Sequence, residues 1–111
     1  MILCGVDRSE EAAQAARFAA DLAVRVGTRL VLLHAAPQPW VATHSADHDE
    51  RLREEESFER AGLGTVLNPI QVDPAASVER MVEFGLPDQV LRSVAEERGA
   101  THLVVDPDGR R

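Results

Sequence analysis

The chain opens on a short apolar run, Ile2 to Val6, closed by the polar stretch "DRSEE". An apolar run ending in charge predicts a buried strand feeding a helix. Ser9 is placed as the N-cap, and Glu10 and Glu11 fall in the first turn, where the helix dipole favours acids. Behind them Ala12, Ala16, Ala19, Ala23 and Val26 recur at spacings of three and four, with Phe18 and Leu22 widening the same expected apolar face. Arg25 stands in the last turn, and Gly27 is placed to end the helix in a left-handed conformation. A second apolar strand, Leu30 to Leu33 within "RLVLLHAA", comes next. Two continuous apolar strands joined by one helix describe a parallel βαβ unit with helices on its faces.

After "PQPW" the chain turns polar. Asp47, with Glu50 three residues on, reads as a capping pair opening a second helix. Asp47/Arg51, Asp49/Arg53 and Glu56/Arg60 are favourable pairs at helical spacing and Glu50/Glu54 is not, which describes a solvated face. Leu63, Val66, Leu67 and Ile70 keep the helical period, but two glycines and Pro69 predict a bent or restarted helix. "SVERMVEF" then alternates, with Val78, Arg80, Val82 and Phe84 on one face, as a half-exposed edge strand does. Gly85 turns the chain, Pro87 suits a first helical position, and Val90, Leu91, Val94 and Ala95 form a buried stripe up to Gly99. The last strand is "THLVV", an apolar run of the kind found inside a sheet.

Composition narrows the picture. At 111 residues the chain is read as one domain, 1–111. A formal net charge of -7 opposes sequence-independent attraction to phosphate backbones or an anionic membrane, so neither nucleic acid nor membrane is the expected partner. Every one of the twelve basic residues is Arg, a bias read as genomic composition rather than as a phosphate-reading surface. Cys4 is the single cysteine; inside an apolar strand it reads as a small core residue. "MILCGVD" is too short and too soon broken by charge for a secretory signal, and no apolar run reaches membrane-spanning length, so a cytoplasmic protein is expected.

The ordered set "GVDRSEEAAQAARFAADLA", "LVLLHAA" and "VEFGLPDQVLRSVAEERGATHLVV" resembles the universal stress protein family. The resemblance implies an α/β fold, an open doubly wound Rossmann-like parallel sheet in strand order 3-2-1-4, with the family's fourth helix and fifth strand missing. It further implies an adenine-nucleotide crevice at the carboxyl ends of strands one and four, the place where the order of an open α/β sheet reverses. Carried onto this sequence, the residues are Asp7 and Arg8 after strand one, Ala35 after strand two, and Asp106 and Gly109 after strand four.

Here the sequence departs from the family pattern. ATP-binding members follow strand four with a glycine, two residues, a second glycine, and later a third glycine before Ser or Thr. In this chain the first position is Asp106 and the second is Gly109. Glycine serves where backbone N–H groups must approach phosphate closely. Asp106 adds a side chain and a negative charge, and Pro107 withdraws a donor. Leu86 stands where the family has an acidic or polar cap before the proline. The expectation is therefore no bound cofactor, with Mg·ATP as the alternative, its phosphate site completed by a partner chain. With no outer neighbour for strand four, association with a second copy or another chain along residues 101–105 is expected, since an uncovered apolar edge invites pairing.

Other constellations have plainer readings. Asp7 and Asp106 across the switch point could hold Mg²⁺, or be two strand-end acids softened by Arg8. His44 and His48 have helical spacing for a divalent metal but no fixed third ligand. His34 at a strand end reads as packed or hydrogen-bonded, and Trp40 as a loop aromatic covering the core edge. "GVDRSEE" lacks the consecutive glycines of ATP pyrophosphatase loops, and the absence of Lys argues against a response regulator. No catalytic set is placed, so the expected function is non-enzymatic: a stress-response module acting through association.

Overall fold

The computed structural model describes residues 1–37 and 48–105. Trp40, His44, Asp47, Asp106 and Gly109 lie outside the described residues. Four parallel strands, β1 (Ile2–Gly5), β2 (Leu30–Ala36), β3 (Val78–Phe84) and β4 (His102–Val104), form one sheet in the order β3-β2-β1-β4. The doubly wound topology expected from the sequence is the observed one. Register follows the apolar runs: Ile2 pairs with Leu30 and His102, and Leu30 with Val78.

Alternation along the strands divides the core into two layers. Ile2, Cys4, Leu30 and Leu32 face α1 (Glu10–Val26) and a π-helical turn at Leu63–Leu67, whereas Leu3, Val31 and Leu33 face α3 (Pro87–Arg98). Both faces of the two central strands are buried, which is why these strands read as continuous rather than alternating apolar runs.

The caps are where the sequence puts them. Ser9 Oγ accepts from the Ala12 N–H at 3.1 Å, and Gly27 and Gly99 close α1 and α3 at φ 78° and 67°. Leu86 caps α3 without a side-chain hydrogen bond, leaving Pro87 to start that helix. The face of α1 differs from expectation. Ala15 and Ala20 join Ala12, Ala16, Ala19 and Ala23 in the core, while Phe18 and Val26 are 62% and 54% exposed. An arc of alanines lets α1 lie close on the sheet, and the larger residues beside that arc are turned onto the helix flank.

The segment after α2 (His48–Gly62) resolves the expected bend. Helix α2 is largely exposed, but its last residue, Gly62, is buried, and a Cβ there would come 2.9 Å from Val82 and 3.3 Å from His34. The chain then widens into the π turn, where the Asn68 N–H donates to the Leu63 carbonyl at 2.7 Å. Val66, Leu67 and Ile70 are thereby buried against the sheet. Arg80, on β3, donates through Nε to the Leu67 carbonyl at 3.2 Å and through Nη2 to the Ile70 carbonyl at 2.9 Å. Its guanidinium thus supplies donors to carbonyls at and just beyond the end of the turn, where intrahelical donors run out.

β4 has the apolar sequence of an interior strand but the outer position that the order 3-2-1-4 gives it. Among the described residues it is the outer strand of the sheet, with Leu103 51% and Val105 48% exposed. Leu103 lies on the α3 side, opposite Leu3, but α3 packs over β1 and β2 and does not cover it.

Candidate functional site

The carboxyl ends of β1 and β2 open on a small cavity of about 70 Å³. Asp7 and Ala35, two of the expected site residues, line it together with His34, Leu91 and Val105, the residue before Asp106. Arg8 is not part of this cavity. It lies on a wider groove of about 420 Å³ between the start of α1 and the π turn, with Ser9, Arg17, Thr65 and Gln71. Asp7 borders both spaces. The tertiary structure thus brings Asp7 and Ala35 together and sets Arg8 on the other side of the first strand's end, while Asp106 and Gly109 fall outside the described residues.

Asp7 has a local role. Its Oδ1 accepts from the Ser9 N–H at 2.8 Å and from the Ser9 hydroxyl at 2.6 Å, and Ser9 in turn caps α1. This Asx-type turn spends carboxylate lone pairs on ordering the loop that opens the helix. Beside it, His34 Nδ1 lies 2.9 Å from the Val6 carbonyl; as a carbonyl only accepts, Nδ1 carries the proton. His34 ties the end of β1 to β2, the hydrogen-bonded role expected of it.

The cavity is small because Leu91 reaches over β1. A Cβ at Gly5 would stand 2.9 Å from Leu91 Cδ1 and 3.1 Å from Cδ2, so glycine at this position lets α3 approach the strand. Sequence reasoning assigned Leu91 only to the helix stripe. The signal for its second role was the Pro87–Leu91 spacing, which places both on one side of α3 at the carboxyl end of the sheet. The groove beside Arg8 was illegible, since half of it comes from the π turn.

No group of three or more His, Cys, Asp or Glu side chains suited to a metal ion occurs among the described residues. His48 Nδ1 accepts from Arg51 Nη2 at 3.1 Å, and His44, with which it was paired in the sequence, lies outside the described residues. Cys4 is buried, and burial pushes its thiol up to about 12, the condition of an inert core thiol. No helix of the described residues is long and apolar enough to cross a membrane.

Comparison with known proteins agrees with this architecture. A model described as the universal stress protein family matches residues 1–111. A universal stress protein solved in complex with cAMP is 21% identical with a TM-score of 0.61, covering 94% of this chain and 73% of its own. The universal stress protein UspA from Lactobacillus plantarum is 16% identical at a TM-score of 0.57, covering 94% and 74%. That from Archaeoglobus fulgidus is 22% identical at 0.57, covering 98% and 80%. At these identities the structural likeness speaks for the fold alone. No curated protein matches the chain by sequence.

Proposed function

Since the chain belongs to the universal stress protein family, we propose that it is a non-enzymatic stress-response module of the cytoplasm that acts by associating with another protein chain, its ATP binding weakened or lost. The observation that carries this reading is that β4 is the outer strand of the sheet among the described residues. A strand edge offers unpaired backbone donors and acceptors, and here it also presents exposed Leu103 and Val105. Soluble proteins commonly blunt such edges with charge; this one keeps residues 101–105 free of acids in a chain of net charge -7.

The crevice supports the second half of the reading. Small-molecule sites enclose roughly 300–1,000 Å³, against about 70 Å³ beside Asp7 and Ala35, where Leu91 occupies the space above Gly5. Asp106 and Pro107 are poor substitutes for phosphate-cradling glycine on sequence grounds. A second reading is an adenine-nucleotide-responsive switch using Asp7, Ala35 and Gly109, with the phosphate site completed by a partner chain. It draws support from the structural neighbour solved with cAMP.

Calorimetric titration of Mg·ATP into protein whose solution mass is known from light scattering separates the two. Absence of heat from an associated species supports the association module. Micromolar binding overturns the loss of ATP affinity and brings the switch forward, and a monomer in solution counts against association.

A further inference from the structure

An adenine nucleotide asks two things of the crevice at the strand ends: a slot for its ring and donors for its phosphates. Asp106 and Pro107 stand against the second on sequence grounds. The first is decided by a side chain within the described residues. Leu91 lines the cavity with Gly5 and Ala35, and its methyl carbons lie 2.9 and 3.1 Å from where a Cβ on Gly5 would stand. Beside them about 70 Å³ remains, room for a few water molecules.

Leu91 is not what seats α3 on the sheet. Val90 and Val94 anchor that helix, both buried in the layer with Leu3, Val31 and Leu33, whereas Leu91 is half-buried at the margin of the same layer. Pro87 starts the helix one turn earlier, so Leu91 is carried over the carboxyl ends of the strands, with Pro87 on the same cavity wall. Below it the two strands present only the hydrogen of Gly5 and the methyl of Ala35. The leucine fills a slot that small residues leave open.

Removing that side chain changes the space decisively. A Leu→Ala change in a packed core leaves a cavity of about 150 Å³ that admits benzene. Joined to the space already present, the slot would reach roughly 200 Å³, enough for a purine ring with its ribose outside. The polar side chains lining the cavity, Asp7 and His34, are acceptors, the neutral His34 ring through Nε2 because Nδ1 carries the proton. A ring bearing an amino donor suits them.

We propose that Leu91 shuts the purine slot of this chain, independently of the phosphate loop, and that trimming it opens a site for adenosine. The proposal deepens the reading of weakened or lost ATP binding and rests on it, assigning part of that loss to one side chain.

The test is adenosine, which carries no phosphate, titrated into the full chain and followed by amide NMR shifts, with circular dichroism confirming that each variant is folded. The parent is expected to show no saturation up to low millimolar concentrations. Leu91→Ala is expected to bind at least roughly tenfold more tightly than the parent, as relief of crowding by methylenes in an apolar pocket does, with the largest shifts at Gly5, Asp7 and Ala35. Leu91→Val trims less, keeps the helix face apolar and falls between the two; it decides the matter if the alanine variant does not fold. Ala35→Ile in the Leu91→Ala background refills the slot from β2 and abolishes binding. Folded Leu91 variants that bind adenosine no more tightly than the parent overturn the proposal and leave the loss of ATP affinity standing, and so does binding that survives Ala35→Ile. Micromolar binding of Mg·ATP by the parent overturns both.

Discussion

Replacing Arg80 by Met isolates what the guanidinium contributes to the domain, because Met keeps the apolar stem and removes the donors. Two hydrogen bonds are lost, to the Leu67 carbonyl at 3.2 Å and to the Ile70 carbonyl at 2.9 Å. The Leu67 carbonyl keeps the Ile70 N–H at 3.1 Å, so the Ile70 carbonyl bears most of the loss. A hydrogen bond from a charged donor is worth about 1.5–3 kcal/mol. Arg80 is only half-buried, so water replaces part of it and the lower end applies. The expected destabilisation is about 2–3 kcal/mol, read as a lower midpoint with unchanged slope in urea unfolding followed by far-ultraviolet circular dichroism. At about 4 °C per kcal/mol for a domain of this size, the melting temperature falls by roughly 8–12 °C. Arg80→Lys, which keeps the charge but lacks the fork that reaches both carbonyls, should recover about half. A Met variant within about 0.5 kcal/mol of the parent would refute the claim that Arg80 secures the π turn.

Two further outcomes test other contacts. Gly5→Ala is expected to cost on the order of 1–2 kcal/mol through contact with the Leu91 methyls, and combining it with Leu91→Ala should cost less than the two changes added; strict additivity would show that they do not meet. Glu79 accepts two 3.0 Å bonds from Arg98, which together with the guanidinium charge hold its carboxyl below the ordinary value of 4.5. A lowered folded-state value means the contribution is present above 4.5 and fades as pH falls through the folded-state value. In Arg98→Ala the Glu79 titration, followed by NMR, should move up toward 4.5; no movement would sink the assignment.

Most of the sheet was legible in the sequence because its determinants are local. Ser9, Gly27, Pro87 and Gly99 act on backbone groups within a turn of themselves, and apolar runs at Ile2–Gly5 and Leu30–Ala36 can only be strands buried on both faces. The candidate site was legible in part. Asp7 and Ala35 could be placed from strand ends, but the engagement of Asp7 with Ser9 and the separation of Arg8 from the cavity depend on where loops turn. Phe18 defeated the periodicity argument, since its spacing fits the apolar face and only the closeness of α1 to the sheet excludes it.

By itself, then, the sequence determined the elements, their caps and, with the family resemblance, the parallel order 3-2-1-4, because these follow from nearest neighbours along the chain and from the handedness of crossovers. Tertiary structure alone decided that Leu91 fills the space above Gly5 and that Arg80 on β3 caps a π turn ten and thirteen residues earlier. It also decided that Phe18 is exposed although its spacing fits the apolar face of α1. Each of these joins residues distant in sequence through the relative placement of packed elements, and no local pattern encodes that placement.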